Sequence, residues 1–385
     1  MNAPSSHRRV TPLLALSRAA AGRLRASAAL DRRRPFAVLA LAVVLLGVAT
    51  VALLAQSGGP PRTAFAGAAS GQYAVVAKNT GAATVVTVVG ATPNAAPIEI
   101  ATIPHLHGFS LRGAVSPTGR HVALLTPDSA IAGRPFAALV VLDLETGLSR
   151  RLAEDLDPLQ DVLWTPDATA MVVTRSVRTA AGEPGVAVAR VGFDGTESVL
   201  ETHLGAGMVA PVGFDPQGRL LAVRIDARGS TLTRDGAEVL WLSTHVTRDW
   251  ALSPDGDRLA FVEVNLWEGL RYLPHVVSID GGGGGVVAAA STPTEQALGA
   301  AWSPSGDAPS FGSEPSAPPP GSVSAQGPAG FDVPLAYSRD GAALAVHHWS
   351  GYSFDEPGTP RLEIVSGAGR QSLNGFSRFF GWSAR

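Results

Sequence analysis

One repeated phrase constrains this chain more than any other feature. Residues 251–264 read ALSPDGDRLAFVEV. Ser253 can open a turn through its hydroxyl, Pro254 has the φ wanted at the second position, Asp255 suits the third, and Gly256 supplies the backbone freedom that leaves such turns. Four-residue hairpin loops are commonly built this way. The flanking apolar runs, Leu252 before and Leu259 to Val262 after, are too short for helices and read as strands. The phrase returns as VSPTGRHVALL at 115–125, WTPDATAMVV at 164–173, FDPQGRLLAV at 214–223, WSPSGD at 302–307 and YSRDGAALAV at 337–346.

The copies recur every 35 to 50 residues, the length of one supersecondary unit. Within a unit the second strand is followed by a third, as in Ala137 to Leu142. A tight acidic turn, Asp143 to Gly147, then leads to a fourth strand around Ser149 to Ala153. VARVGFDGT at 188–196 and VVSIDGGGGG at 276–285 repeat that pairing, which puts Gly281 to Gly285 in a hairpin turn and not in a phosphate cradle. Four short strands per unit predict an all-β fold, a β-propeller of four-stranded antiparallel blades. The C-terminal FFGWS at 379–383 reads as a first strand with nothing after it, and QYAVVAK at 72–78 as a second strand with nothing before it. Both termini then share one blade, completed by strands at 84–89 and 98–103. Added to the six units beginning near 116, 165, 215, 253, 303 and 338, this blade makes seven. Six is the alternative count, because 308–330 is rich in Pro, Ser and Gly and reads as a disordered or irregular insertion.

WSPSGD, SPDGDRLAF and VLDLETG resemble the WD40-like repeat, often called PD40, of TolB-type β-propellers. The resemblance covers roughly residues 72–385 and implies the fold. It implies no chemistry, because in that family the motif residues build turns and strands. Some copies depart from the pattern: Ala168 replaces the turn Gly, Arg339 replaces the turn Pro, and the unit after Trp302 has no clear strands.

Residues 36–55, FAVLALAVVLLGVATVALLA, carry no charge and are long enough as a helix to cross bilayer hydrocarbon. Before them stand eight Arg against one Asp, a net of +7, and the 12 residues after them hold a single Arg. The positive-inside bias predicts a basic cytoplasmic tail at 1–35, a single-pass transmembrane helix at 36–55, a linker at 56–71 and an extracytoplasmic propeller at 72–385 in the cell membrane. A cleaved signal peptide ending near Ala64-Phe65-Ala66 is the competing reading. The chain carries −2 overall, so the remainder is acidic at about −9, which speaks against nucleic acid. With no cysteine, thiolate metal sites and disulfides are excluded.

The best-known catalytic signatures, G-x-S-x-G, H-E-x-x-H and the P-loop, do not occur. In a propeller the loops entering each innermost strand share one end with the loops between second and third strands. The first set holds His105, His107, Asp161, His203, His245 and Asp249, a polar ring that could bind a divalent metal or transfer protons, or that is polar simply because loops are. The second set holds NLWEGLRY at 265–272 and HHWSGYSFDEPGTP at 347–360. There Trp267, Tyr272, Trp349, Tyr352 and Phe354 could stack on a sugar ring or anchor a partner, or fold back to cap the blades. Trp164, Trp302 and Trp382 share one repeat position ahead of their turns and read as core.

The expected function is therefore a membrane-anchored, extracytoplasmic, non-catalytic binding or scaffold module for a protein or a cell-envelope glycan, with no catalytic residue, metal or cofactor. The alternative is a propeller hydrolase or lyase working at the channel mouth.

Overall fold

The computed structural model describes residues 62–131, 134–266, 269–280, 287–288, 296–306, 308–313 and 330–385. The sequence candidates 36–55, Trp267 and Gly281 to Gly285 lie outside them. Among the described residues no helix is long and apolar enough to cross a membrane.

The described chain is a ring of small antiparallel sheets. Blade 1 has the strand order Arg378–Ala384, Gln72–Asn79, Ala83–Gly90, Ile98–Pro104, so the C-terminal strand lies innermost beside the first N-terminal one. Blade 2 comprises Arg112–Val115, His121–Ile131, Arg134–Asp143 and Ser149–Leu156. Blade 3 is Leu163–Trp164, Ala170–Arg178, Pro184–Gly192 and Glu197–Leu204, and blade 4 is Met208–Phe214, Leu220–Asp226, Gly229–Arg234 and Ala237–Ser243. Val246–Leu252, Arg258–Asn265, Arg271–Ser278 and Val287–Ala288 form blade 5. Blade 6 is Phe331–Tyr337, Ala343–Trp349, Pro360–Ser366 and Gly369–Ser372.

Seven four-stranded blades were expected, and among the described residues the structure has six. Among the described residues the unit opened by Trp302 supplies a two-stranded sheet, Ala297–Trp302 with Pro309–Ser313, set between blades 5 and 6. Its sequence runs directly into the Pro, Ser and Gly stretch, which offers no apolar runs for a third and fourth strand. Within the stretch 308–330 expected to be a disordered or irregular insertion, Pro309–Ser313 is a strand paired with the inner strand.

The repeated phrase builds the hairpin between inner and second strands. Gly256 N donates to Ser253 O at 2.9 Å and Ser253 N to Arg258 O at 2.9 Å, closing the turn. The Ser253 hydroxyl accepts from Arg258 N at 3.0 Å and donates to the Asp255 carboxylate. Ser338 repeats this with Ala343 N at 2.9 Å and Asp340 at 2.6 Å, and Thr165 with Ala170 N at 3.0 Å and Asp167 at 2.6 Å. In blade 4 the Asp215 carboxylate takes the accepting role from Arg219 N at 2.9 Å. These openers are buried, so the motif is spent on backbone satisfaction.

The core lies between blades. Val75, Ala77, Val86 and Val88 of blade 1 pack on Leu111, Val122, Leu124 and Leu142 of blade 2. Equivalent layers join blades 2 and 3, 3 and 4, 4 and 5, and 6 and 1. Central strands covered on both faces read as continuous apolar runs, as at Val122 to Leu125. Trp164, Trp302 and Trp382 are buried, and each indole donates to an inner-strand carbonyl of the preceding sheet, Ala114 O at 2.8 Å, Ala251 O at 2.9 Å and Ala336 O at 2.9 Å. Residues 62–71 are docked as well: Thr63 bonds to Leu144 O and Glu145 O, and the buried Phe65 ring stands edge-on to Tyr73 at 5.1 Å.

Candidate functional site

Inner strands run from the loop end of the ring toward the turn end, so loops entering them and loops between second and third strands meet at one end. The aromatic candidates form a connected row there. The Tyr272 ring, at the start of the third strand of blade 5, lies edge-on to Phe354 at 5.7 Å. Phe354 stands edge-on to Phe331 at 5.1 Å, and Phe331 stacks on Trp349 at 6.4 Å. The loop 350–359 of blade 6 thereby reaches back past the two-stranded sheet to blade 5. It is braced internally, Gly351 N donating to Pro357 O at 2.8 Å and Thr359 N to the Ser350 hydroxyl at 3.0 Å. Tyr352 is left 53% exposed, while Tyr272, Trp349 and Phe354 are half-buried. Phe331 is the member that sequence reasoning missed. It opens an inner strand after the insertion, and only the register, which sets it opposite Trp349, reveals the contact.

The polar candidates do not converge. His105 donates from Nδ1 to Leu106 O at 2.9 Å and accepts at Nε2 from the Thr84 hydroxyl at 2.9 Å. His107 is exposed. Asp161 pairs with Arg112 at 3.0 Å. His203 belongs to the outer strand of blade 3, not to a loop, with Nε2 3.3 Å from the buried Glu201 carboxylate. His245 Nδ1 lies 3.0 Å from Glu263 Oε1, and Glu263 Oε2 is 3.6 Å from His275 Nε2. Asp249 lies within the inner strand of blade 5, not in a loop; in the left-handed region at φ 53°, it accepts from Gly299 N at 2.8 Å and from its neighbour Arg248 at 3.1 Å. Among the described residues no three His, Asp or Glu form a group able to hold a metal ion.

Glu201, Glu263 and His275 are partners the sequence did not disclose. They lie on strands, where alternation alone does not tell which blade a side chain meets. Burial lowers the proton affinity of His275, with Glu263 opposing, while the ring stacks on Phe261 at 5.2 Å. A second unannounced network ties Asp332 to Arg370 by two bonds at 2.9 and 2.6 Å and to His348 at 2.8 Å, with Arg370 also reaching Glu363 at 2.9 Å. Burial works to raise the Asp332 carboxyl, but the Arg370 fork and His348 hold it below the usual carboxylate range.

No protein-family model matches the chain, and no curated protein matches it. Solved structures do match. TolB from Acinetobacter baumannii is 15% identical over 81% of this chain and 65% of its own, with a TM-score of 0.46. A candidate 6-phosphogluconolactonase from Bacteroides uniformis is 11% identical over 81% of this chain and 98% of its own, with a TM-score of 0.51. A candidate TolB from Agrobacterium tumefaciens is 14% identical over 75% and 87%, with a TM-score of 0.42. At such identities the likeness is one of fold, and the chain has the β-propeller fold of small four-stranded antiparallel blades.

Proposed function

We propose that this protein is a non-catalytic binding module that holds a protein or a cell-envelope glycan at the loop end of its propeller, tethered through residues 36–55 with the propeller outside the cell. One observation carries the reading: the distribution of exposed apolar side chains. Leu159, Leu204, Val246, Leu266, Leu270 and Tyr352, each 49 to 68% exposed, are all at the loop end. Of the other exposed large hydrophobics among the described residues, Val199, Leu200 and Trp241 lie on outer strands, and Leu148 alone sits at the turn end. Apolar side chains gathered at one end of a disk mark a surface that meets something. The half-buried aromatic row beneath Tyr352 gives that surface a rigid floor. The polar candidates support the catalytic alternative less well, since His105, Asp161, His203, His245 and Asp249 are bound into separate local pairs.

The test is capture from an envelope extract by the detergent-solubilised full-length chain. Replacing Leu266, Leu270 and Tyr352 together by Ser is expected to reduce recovery of native partners about tenfold, while Trp241→Ser on the outer edge leaves it unchanged. Equal recovery with the triple variant would remove the loop end as the binding surface.

A further inference from the structure

The loop end also carries an unbalanced pair of charges. The two arginines concerned are set side by side by strand register. Counting rungs in blade 1 from Trp382, which holds the repeat position of Val115 in blade 2, Trp382 faces Ala74, Gly381 faces Val75, Phe379 faces Val76 and Arg378 faces Ala77, with Phe380 bulged out of the count. In blade 2, Val115 faces Val122, Ala114 faces Ala123, Gly113 faces Leu124 and Arg112 faces Leu125. Both arginines stand on the fourth rung of adjacent innermost strands. Those strands touch lower down, where a Cβ on Gly381 would lie 3.1 Å from Val115 Cβ. At the top, Arg378 donates from Nη2 to the Ser110 hydroxyl at 2.9 Å, two residues ahead of Arg112.

Charge is not balanced across this pair. Arg112 has one carboxylate, Asp161 at 3.0 Å, and that side chain is 75% exposed. Arg378 has no carboxylate within ion-pairing distance among the described residues; it bonds to the neutral Ser110 hydroxyl. His347, close enough to feel Arg378, is held toward its neutral form first by burial and then by that cation. The Arg378 guanidinium is itself disfavoured by burial and next by Arg112, with Asp161 opposing. Like charges placed together by the fold persist at a cost, and a group that bridges both removes it. An oxyanion with two or more oxygens suits two guanidinium forks and gains charge-assisted hydrogen bonds from each.

We propose that Arg378 and Arg112 form a subsite for an oxyanion, a carboxylate or phosphate group borne by the ligand of the loop end. The assignment deepens the binding-module reading and rests on it. Asp161 competes with the ligand for Arg112, so it tempers the site, and removing its charge strengthens binding.

The experiment is calorimetric titration of the detergent-solubilised full-length chain with inorganic phosphate and, separately, acetate at low ionic strength. Saturable binding of either is expected, and which one binds more tightly tells a phosphate from a carboxylate site. Arg378→Gln should weaken it about tenfold or more, Arg378→Lys should retain part, and Asp161→Asn should tighten it several-fold. Unchanged unfolding midpoints in these variants separate lost contact from lost fold. No saturable binding by the native chain, equal affinity in Arg378→Gln, or weaker affinity in Asp161→Asn overturns the proposal. Phosphate or acetate binding is read independently of partner capture, so failure of this subsite and failure of the apolar surface are told apart.

Discussion

Ala168 occupies the left-handed region at φ 57°, where the equivalent turn residues Gly119, Gly218, Gly256, Gly306 and Gly341 lie between 72° and 78°. A Cβ is penalised there, and glycine's greater freedom in the unfolded chain returns only part of the gain. Ala168→Gly is therefore expected to stabilise the protein by about 0.5 to 1 kcal/mol in urea unfolding. No gain would mean that neighbouring contacts already relieve the turn. Three histidines give the fold a pH dependence of definite sign. Burial lowers the proton affinity of His121, His275 and His347 below the ordinary 6.5. The unfolded chain then takes up protons first as pH falls, so stability is complete above about pH 6.5 and declines below it. The urea midpoint should drop between about pH 7.5 and 5.5, and His275→Gln should flatten the slope. The Asp residues with lowered values, such as Asp167 at about 2, stay charged through that window.

At the scale of elements, the indole bonds of Trp164, Trp302 and Trp382 pin each inner strand to the one before it. Trp382→Phe keeps most of the packing but leaves the Ala336 carbonyl without its donor, at a cost of about 1 to 3 kcal/mol. Trp241→Phe, on an exposed outer strand, should change stability by under about 0.5 kcal/mol, measured by the same unfolding. The role of these tryptophans was legible in the sequence because they share one repeat position, directly before the turn openers Thr165 and Ser303 and before Ser383 in the C-terminal strand. The carboxylate and imidazole pairs were not. His245 and Glu263 are 18 residues apart, and only the hairpin register brings them within 3.0 Å. The truncated unit between blades 5 and 6 explains the long aromatic loop as well: with no third and fourth strands described there, residues 350–359 turn back across it, and Phe354 meets Tyr272.

At the scale of the whole ring, blade 1 is closed by strands from opposite ends of the propeller and so has no hairpin between its inner and second strands. At three other joints the turn Pro of one sheet packs beneath the turn Gly of the next: Cβ positions on Gly256, Gly306 and Gly341 would lie 3.2, 3.7 and 3.4 Å from Pro216, Pro254 and Pro304. At the seam the turn before blade 1 carries Arg339 in place of Pro, and its guanidinium spans the missing turn to bond Ser116 O at 2.9 Å in blade 2. Ser383 adds a bond to Gly119 O at 2.7 Å. The departure from the repeat is thus the device that bridges the join. Arg339→Pro restores the repeated phrase and should nonetheless destabilise by about 1 to 3 kcal/mol in urea unfolding, as should Arg339→Ala. Stabilisation by the proline would show that the bridge contributes nothing.

The sequence by itself determined the repeating unit, the hairpins, the shared blade and the core tryptophans, because these follow from local turn chemistry and from apolar periodicity that each copy restates. It overcounted the four-stranded blades, since a turn phrase announces a hairpin without guaranteeing two further strands. Only the tertiary structure decided which side chains meet: Phe331 with Trp349, Glu263 between two imidazoles, Arg378 level with Arg112, Arg339 across the seam. Those contacts depend on rung and on neighbouring blade. A bulge such as Phe380 shifts the rung by one residue without leaving a mark in the local pattern.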